Sequence, residues 1–372
     1  MSAENCDREV TKGIHDGEYQ LVFISPESII SNLYWREMLR TPVYQENLVA
    51  FAVDEAHCVS KWLVFDLRGY YMVIKYLCVN FIIALSQLHS SCRGSFFRKE
   101  FSRLGEVRSL IPQHVHMIAL TATATVSTRN KVIATLGMVD PFVLSISPHK
   151  PNITYWVTEK KPLEVTFTPL MEKLQTERCH MSRAIIFCQR YDKCAALYEM
   201  FRITLGKEFT EPIGAPNVSR FRLVDMYTNP THSTVKDTIV SYFCKAHSNL
   251  RIVICTVAFG LGVNSPDVRQ VIHWGPPADI EEYMQQTGRA GRDGELASAL
   301  LFVTSSDLNN TKDHRLVDYC KNTDTCRRKM LLQHFDQVDF QKDCTGCKCC
   351  DVCAVDCKCS NCACSTFPML MC

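Results

Sequence analysis

Short runs of apolar, β-branched residues recur along the chain, and each is followed by a polar or small-residue turn and then a helical pattern. The runs are continuous rather than alternating, which is typical of strands buried on both faces of a parallel sheet. They cover residues 21–24, 48–53, 115–120, 184–187, 251–255, 271–274 and 299–303. We therefore predict an α/β protein whose ligands bind beyond the carboxyl ends of parallel strands.

A break in this pattern divides the chain. At 372 residues the sequence is longer than one hydrophobic core usually covers. Pro148 and Pro151 interrupt the pattern within residues 147–152, which predicts a domain boundary there.

One apolar segment does not fit the strand and helix pattern. Residues 70–88 are broken by only four polar positions, and the length approaches that of a membrane span. The internal Lys75 and the polar sequence on both sides favour a buried or disordered insertion instead. We treat residues 63–93 as an insertion and expect no membrane partner.

Composition narrows the class of protein. Hydrophobic residues make up 47% and charged residues 22% of the chain, as in globular proteins, and a net charge of +2 means that any DNA affinity must come from local patches. The polar, acidic start is unlike a signal peptide, so we expect an intracellular protein. Of the 21 cysteines, 12 lie in the last 53 residues, and such crowding in a reducing compartment indicates metal ligation.

Two adjacent carboxylates follow the run at 48–53. Asp54 is suited to hold Mg²⁺, and Glu55 to polarise an attacking water, since a hard cation prefers oxygen ligands and hydrolysis needs a base beside it. The alternative is an acidic turn before a helix.

A glycine-spaced pair of arginines, Arg289 and Arg292, lies shortly behind Gln285. With only small residues between them, the two guanidinium groups can approach a triphosphate closely and supply bidentate positive charge. The alternative is a solvated basic helix, which has no need of Gly288 and Gly291.

The cysteine-rich end offers a separate signal. The thiols of Cys326, Cys347, Cys350 and Cys353 can close a tetrahedral Zn²⁺ site. Three other cysteines are plausible substitutes in this set: Cys320, Cys344 and Cys349. A second cluster, Cys357, Cys359, Cys362 and Cys364, either binds another metal or is a disordered end.

Taken together, the motifs resemble those of superfamily-two helicases of the DEAH-box type, and specifically the RecQ family of DNA helicases. The resemblance runs from about residue 17 to residue 353. The matching segments are 25–27 (motif Ib), 54–62 (motif II), 121–124 (motif III), 184–188 (motif IV), 256–264 (motif V) and 285–294 (motif VI).

The resemblance implies a fold of two RecA-like parallel-sheet domains, the first incomplete, followed by a small helical zinc-binding subdomain. The implied domains are residues 1–148, 149–306 and 307–356, with a cysteine-rich tail at 357–372. The implied activity is 3′ to 5′ unwinding of duplex DNA in repair or recombination in the nucleus, with ATP, Mg²⁺ and Zn²⁺ as cofactors. The implied partner is DNA, as single strands and duplex junctions.

The resemblance also assigns residues to roles. Catalysis would use Asp54, Glu55, His57, Gln285, Arg289 and Arg292. The nucleotide would contact Asp54, Thr121, Thr123, Gly260, Gly262, Gln285, Arg289 and Arg292. DNA would contact Ser25, Pro26, Glu27, Trp62, Phe97, Arg98 and Thr256. Without the family context, residues 121–125 are equally consistent with a helix cap, and Gly260 and Gly262 with a simple turn.

The sequence departs from the family in two respects. No Gly-Lys-Ser/Thr phosphate-binding loop occurs, because the single Gly-Lys pair, Gly206-Lys207, is followed by Glu208. The family carries that loop upstream of motif Ib, so we expect a chain truncated at its amino terminus with severely impaired ATP turnover. The aromatic loop containing Phe97 and Arg98 is also displaced from Trp62 by the insertion.

Two other functions are therefore considered. The first is a DNA-binding helicase remnant without catalysis, held to DNA through phosphate contacts. The second is a metal-handling protein, which explains only the cysteine-rich end.

Overall fold

The computed structural model describes residues 8–56, 81–85, 103–121, 124–256, 259, 265, 267–335, 346–355 and 357, and of residues 81–85 only the backbone. The chain divides into two compact units, Met1–Ile146 and Ser147–Cys372. No helix in the described ranges is long and apolar enough to cross a membrane.

The first unit contains a four-stranded parallel sheet in the order β1-β3-β2-β4. Its strands are β1 (Leu21–Ile24), β2 (Leu48–Val53), β3 (Phe81–Leu85) and β4 (His116–Ala119). Its helices are α1 (Arg8–His15), α2 (Pro26–Ser31), α3 (Leu33–Arg40), α4 (Pro42–Asn47), α5 (Gly105–Arg108) and α6 (Val126–Thr135). Ile29, Trp35, Leu39 and Phe51 belong to its core.

Strand β3 lies within the segment that we treat as an insertion. Residues 81–85, which are part of the 63–93 segment, pair with β1 on one side and β2 on the other. A continuous apolar run is the sequence pattern typical of an interior strand of a parallel sheet. The rest of 63–93 lies outside the described residues.

The second unit contains a six-stranded parallel sheet in the order β5-β10-β9-β6-β8-β7. Its strands are β5 (Ile153–Glu159), β6 (Arg183–Cys188), β7 (Val224–Tyr227), β8 (Ile252–Cys255), β9 (Val268–Trp274) and β10 (Ala297–Val303). Its α-helices are α7 (Leu163–Glu177), α8 (Tyr191–Leu205), α9 (Ser233–Cys244), α10 (Ile280–Thr287), α11 (Ser305–Asn310), α12 (His314–Lys321), α13 (Arg327–His334) and α14 (Asp351–Ala354). Single 3₁₀ turns cover Arg178–His180, Gly206–Phe209 and Gly346–Lys348.

Both faces of this second sheet are covered. In β6, Ile185 and Phe187 belong to one core cluster, whereas Ala184, Ile186 and Cys188 belong to another. Because successive side chains of a strand point to opposite faces, the two clusters lie on the two sides of the sheet. This arrangement explains the continuous apolar runs and confirms the predicted parallel α/β fold class.

Strands β5 and β7, which the apolar runs did not predict, form the two edges of the second sheet. Their burial is incomplete, with Thr154, Trp156 and Met226 half-buried. Polar residues interrupt both segments, Thr154 in β5 and Asp225 in β7, so neither produces a continuous apolar run from its first residue.

Candidate functional site

The acidic pair lies in a tight turn directly behind β2. Asp54 and Glu55 are buried, at 7% and 3% exposure. The Glu55 backbone N–H donates to Asp54 Oδ1 at 2.9 Å, and Glu55 has a φ of 52°. A non-glycine residue in that region costs about 1–3 kcal/mol, so the surrounding structure holds this turn against local strain.

The end of β4 fixes one side of the acidic turn. Leu120 donates its N–H to the Val53 carbonyl and accepts a bond from the Ala56 N–H, both at 2.9 Å. Thr121 follows Leu120 directly and therefore lies at the same carboxyl edge of the sheet as Asp54 and Glu55. Five other predicted site residues of the first unit lie outside the described residues: His57, Trp62, Phe97, Arg98 and Thr123.

The predicted DNA-contact residues behind β1 begin a helix. Ser25 is the N-cap of α2 and accepts a bond from the Ser28 N–H at 3.2 Å, and Pro26 occupies the first turn. Similarly, Thr125 caps α6, so the capping interpretation of residues 121–125 is confirmed at that residue. A cap does not exclude a second role, because Ser25 is only half-buried.

The arginine turn, residues 288–294, connects α10 to β10 in the second unit. The Gly291 N–H donates to the carbonyl of Val268, the first residue of β9, at 2.9 Å. Helix α10 thus brings the chain back to the amino end of the sheet. Asp54 and Thr256 follow the carboxyl ends of β2 and β8, whereas this turn lies at the opposite end of its sheet.

The burial of its side chains distinguishes the arginine turn from the alternative, a solvated basic helix. Arg289 is 2% exposed, Arg292 is half-buried, and Gln285 is 4% exposed. Both polar atoms of the Gln285 amide are buried with no hydrogen-bond partner among the residues that the structure describes. Of the neighbouring motif V residues, Thr256 is half-buried behind β8, whereas Gly260 and Gly262 are not among the described positions.

Two residues that the sequence analysis missed hold the arginine turn. Asn152 Nδ2 donates to the carbonyls of Gly291 at 2.8 Å and Glu295 at 2.7 Å. Lys150 Nζ donates to the Gly288 carbonyl at 2.5 Å. Burial, together with the nearby positive charges of the arginine pair, lowers the pKa of Lys150 to about 8. The recognisable sequence signal at this place is the pair Pro148 and Pro151, which we interpreted as a domain boundary.

A buried polar chain supports the helix that carries Gln285. Gln286 Nε2 donates to Glu282 Oε1, Gln286 Oε1 lies beside His273 Nε2, and the Ala278 N–H donates to Glu282 Oε2, each at 2.8 Å. Burial raises the pKa of Glu282 to about 7 and lowers the pKa of His273 to about 4. Helix α10 is therefore anchored to β9 by groups whose charge is suppressed.

Four thiols converge at the end of the second unit. The sulfur atoms of Cys326, Cys349, Cys350 and Cys353 all lie within 4.8 Å of one another. Four Zn–S bonds of about 2.3 Å in a tetrahedron place sulfur atoms about 3.8 Å apart, so the arrangement fits zinc. Hydrogen bonds with Cys349 and Cys350 lower the pKa of Cys326, which favours the thiolate that a metal requires.

This group differs from the predicted set at one position. Cys347 lies on the 3₁₀ turn outside the group, and Cys349, one of the substitutes left open, lies inside it. Spacing did not separate the two, because each lies within a few residues of Cys350 and Cys353.

The segment that carries three of the four thiols is hydrogen-bonded to the edge strand β5. The Tyr155 N–H donates to the Cys349 carbonyl at 3.3 Å, and the Val157 N–H donates to Asp351 Oδ2 at 3.0 Å. Arg327 Nε donates to the other oxygen of Asp351 at 2.5 Å. From the same helix, Arg328 donates to the backbone carbonyls of Lys150, Pro151 and Ile153.

Two family descriptions match parts of the chain. Residues 167–294 match the helicase conserved C-terminal domain, and residues 303–354 match the RecQ zinc-binding family. The first match ends within the arginine turn, and the second contains the four thiols.

Curated relatives match most of the chain. The ATP-dependent DNA helicase hus2/rqh1 of Schizosaccharomyces pombe is 28% identical over 88% of this chain and 22% of its own length. The ATP-dependent DNA helicase Q1 of Mus musculus is 26% identical over 96% of this chain and 50% of its own length. The chain thus spans from about a fifth to half of these relatives.

Among solved structures, S. cerevisiae Dbp5 bound to RNA and ADP BeF3 is similar with a TM-score of 0.48 and 13% identity, over 90% of this chain and 93% of that one.

Replacing Gly291 with alanine is expected to destabilise the second unit by about 3 kcal/mol. Gly291 has a φ of 56°, and a Cβ there would lie 2.3 Å from Asn152 Nδ2. The left-handed backbone accounts for about 1 kcal/mol of this cost, and the loss of two Asn152 hydrogen bonds accounts for the rest. Urea-induced unfolding measures the change. Gly214→Ala is the matched control, because Gly214 has a φ of 76° and open space around it. Equal losses in the two variants would contradict the role of Asn152.

The Glu282→Gln variant is expected to gain stability relative to the wild type as the pH rises from 5 to 8. The raised pKa means that the buried Glu282 is protonated at low pH, and the stability associated with that proton is lost as the pH rises through about 7. Glutamine stays neutral, so the difference is on the order of 2 kcal/mol. The stability associated with the neutral, buried His273 is lost in the opposite direction, as the pH falls from 6.5 towards 4. This loss is the same in both proteins, because both contain His273.

Chemical unfolding at several pH values measures this difference. Glu295→Gln, at an exposed glutamate, is the control. A constant difference between wild type and Glu282→Gln from pH 5 to 8 would show that the carboxyl group does not titrate in this range.

Proposed function

Since this chain belongs to the RecQ family of superfamily-two helicases, we propose that it acts as an ATP-dependent 3′ to 5′ DNA helicase. The observation that carries the proposal is the arginine turn, in which the buried Arg289 and the half-buried Arg292 lie on a glycine-rich backbone. Buried guanidinium groups of this kind supply the charge that a transferring phosphoryl group requires.

The proposed chemistry assigns each polar group one task. In the first unit, Asp54 would hold Mg²⁺, and Glu55 would orient and deprotonate an attacking water. In the second unit, Arg289 and Arg292 would supply positive charge to phosphate groups, and Gln285 would order the residues around them. Thr121, at the same edge as the carboxylates, is proposed to contact the nucleotide, with Thr123, Gly260 and Gly262 in the same role.

DNA is the proposed macromolecular substrate. The half-buried Ser25 and Glu27 at the start of α2, together with Pro26, are proposed to contact the phosphate backbone. Trp62, Phe97, Arg98 and Thr256 are the other proposed contacts. A nuclear location follows from a chromosomal substrate, and duplex junctions and single strands are the proposed DNA forms.

A structural zinc ion is proposed for the thiol group of Cys326, Cys349, Cys350 and Cys353. The support is the 4.8 Å limit on the sulfur separations and the match of residues 303–354 to the RecQ zinc-binding family. Zinc would tie the start of α13 to the start of α14, because Cys326 and Cys350 are the N-caps of these helices.

A second candidate is a DNA-binding protein without catalysis. The observation that favours it is the sequence itself, in which no Gly-Lys-Ser/Thr loop occurs. Without a lysine and hydroxyl from such a loop, we propose that ATP turnover by these 372 residues is weak. The two candidates share their DNA contacts and differ in whether DNA stimulates hydrolysis.

A helicase is expected to show ATP hydrolysis that single-stranded DNA stimulates and that Glu55→Gln lowers by about 10²-fold or more, because the variant lacks the base. Phosphate release measured with and without an oligonucleotide tests this expectation. Glu46→Gln, at an exposed glutamate on α4, is the matched control. Background turnover that is equal in wild type and Glu55→Gln, together with retained DNA binding, would favour the non-catalytic candidate.

For the metal, we expect one zinc ion at the four-thiol site after purification in reductant, and loss of that zinc in Cys349→Ser. Zinc content measured by atomic emission tests the assignment, with Cys347→Ser as the matched control because Cys347 lies outside the group. Retention of that zinc in Cys349→Ser and its loss in Cys347→Ser would reverse the ligand assignment.

A further inference from the structure

Lys150 brings a third positive charge to the arginine turn. Its Nζ lies 2.5 Å from the carbonyl oxygen of Gly288, the residue before Arg289. Resting on the proposed nucleotide function of this turn, we infer that Lys150 is a binding residue for the polyphosphate that the arginine pair receives.

The hydrogen bonding of Lys150 leaves it able to bind an anion. An ammonium group has three N–H donors, and the Gly288 carbonyl accepts from one of them. Within the ranges that the structure describes, no carboxylate forms an ion pair with Lys150. The residue is half-buried rather than fully buried.

The backbone of Lys150 is held in place from two directions. Arg328 on α13 donates to the Lys150 carbonyl at 2.5 Å and also to the carbonyl of Ile153. Two residues further along, the Asn152 side chain donates to the carbonyl of Gly291 on the turn and to that of Glu295 directly behind it. Because the backbone is held and Nζ already donates to the Gly288 carbonyl, the side chain loses less freedom on binding than a lysine on an open surface.

The local charge balance favours an anion. Lys150 is repelled by both Arg292 and Arg289, and burial and this repulsion lower its pKa to about 8. The other ionisable groups next to it are Arg328, against its backbone, and the adjacent His149. Cations held together against their repulsion are stabilised when a multivalent anion binds among them, and the compact charge of lysine suits a phosphate oxygen.

Binding of inorganic tripolyphosphate to the full chain, measured by isothermal titration calorimetry, tests the inference. Lys150→Met keeps the aliphatic stem and removes the charge, so we expect about tenfold weaker binding at pH 7. Lys150→Arg is expected to bind nearly as tightly as the wild type. Lys161→Met removes one charge at an exposed position and is the control for net charge.

The pH dependence separates a charge contact from a purely structural role. As the pH rises from 7 to 9, Lys150 loses its proton, and wild-type binding is expected to fall towards that of Lys150→Met. Arginine stays protonated, so the ratio of wild-type to Lys150→Arg affinity should decline over this range, and titration of the tripolyphosphate cancels in the ratio. A structural role alone would give a constant ratio.

Each outcome decides the inference. It is overturned if the wild type binds no tripolyphosphate, if Lys150→Met binds as tightly as Lys161→Met, or if the affinity ratio stays constant with pH. The probe requires no hydrolysis, so Lys150-dependent binding in a chain that does not turn over ATP would refute the helicase proposal and leave this inference intact.

Discussion

Burial of parallel strands on both faces is the constraint on which the rest of this structure depends. A strand such as β6, with all six residues buried, has no position for a solvated polar side chain. Polar chemistry is therefore restricted to the ends of strands and to the segments between them. The acidic turn lies behind β2 at one such end, and the arginine turn lies before β10 at another.

The same constraint explains what the sequence could predict. Continuous apolar runs located β2, β6, β8 and β10 to within a few residues, because interior strands carry the pattern along their whole length. The edge strand β5 was not predicted because the polar Thr154 interrupts its apolar residues, and β3 was not predicted because its run lay within a longer apolar segment that suggested an insertion.

The sequence predicted the acidic and arginine residues of the candidate site, but not the residues whose hydrogen bonds hold them in place. Asp54, Glu55 and Arg289 are recognisable from residue type and spacing. The hydrogen bonds of Asn152 and Lys150 to the turn join residues separated by more than 130 positions, and no local pattern encodes such a pairing. The choice between Cys347 and Cys349 depended on the direction of each side chain, which spacing does not specify.

Asn152 has a consequence for how the arginine turn can vary. A single side-chain nitrogen, Nδ2, donates to two carbonyls that are four residues apart, those of Gly291 and Glu295. One residue more or fewer between these two carbonyls would move one of them out of the reach of Nδ2. The two hydrogen bonds of Asn152 therefore constrain the length of this loop. We expect the loop to tolerate substitutions better than insertions or deletions.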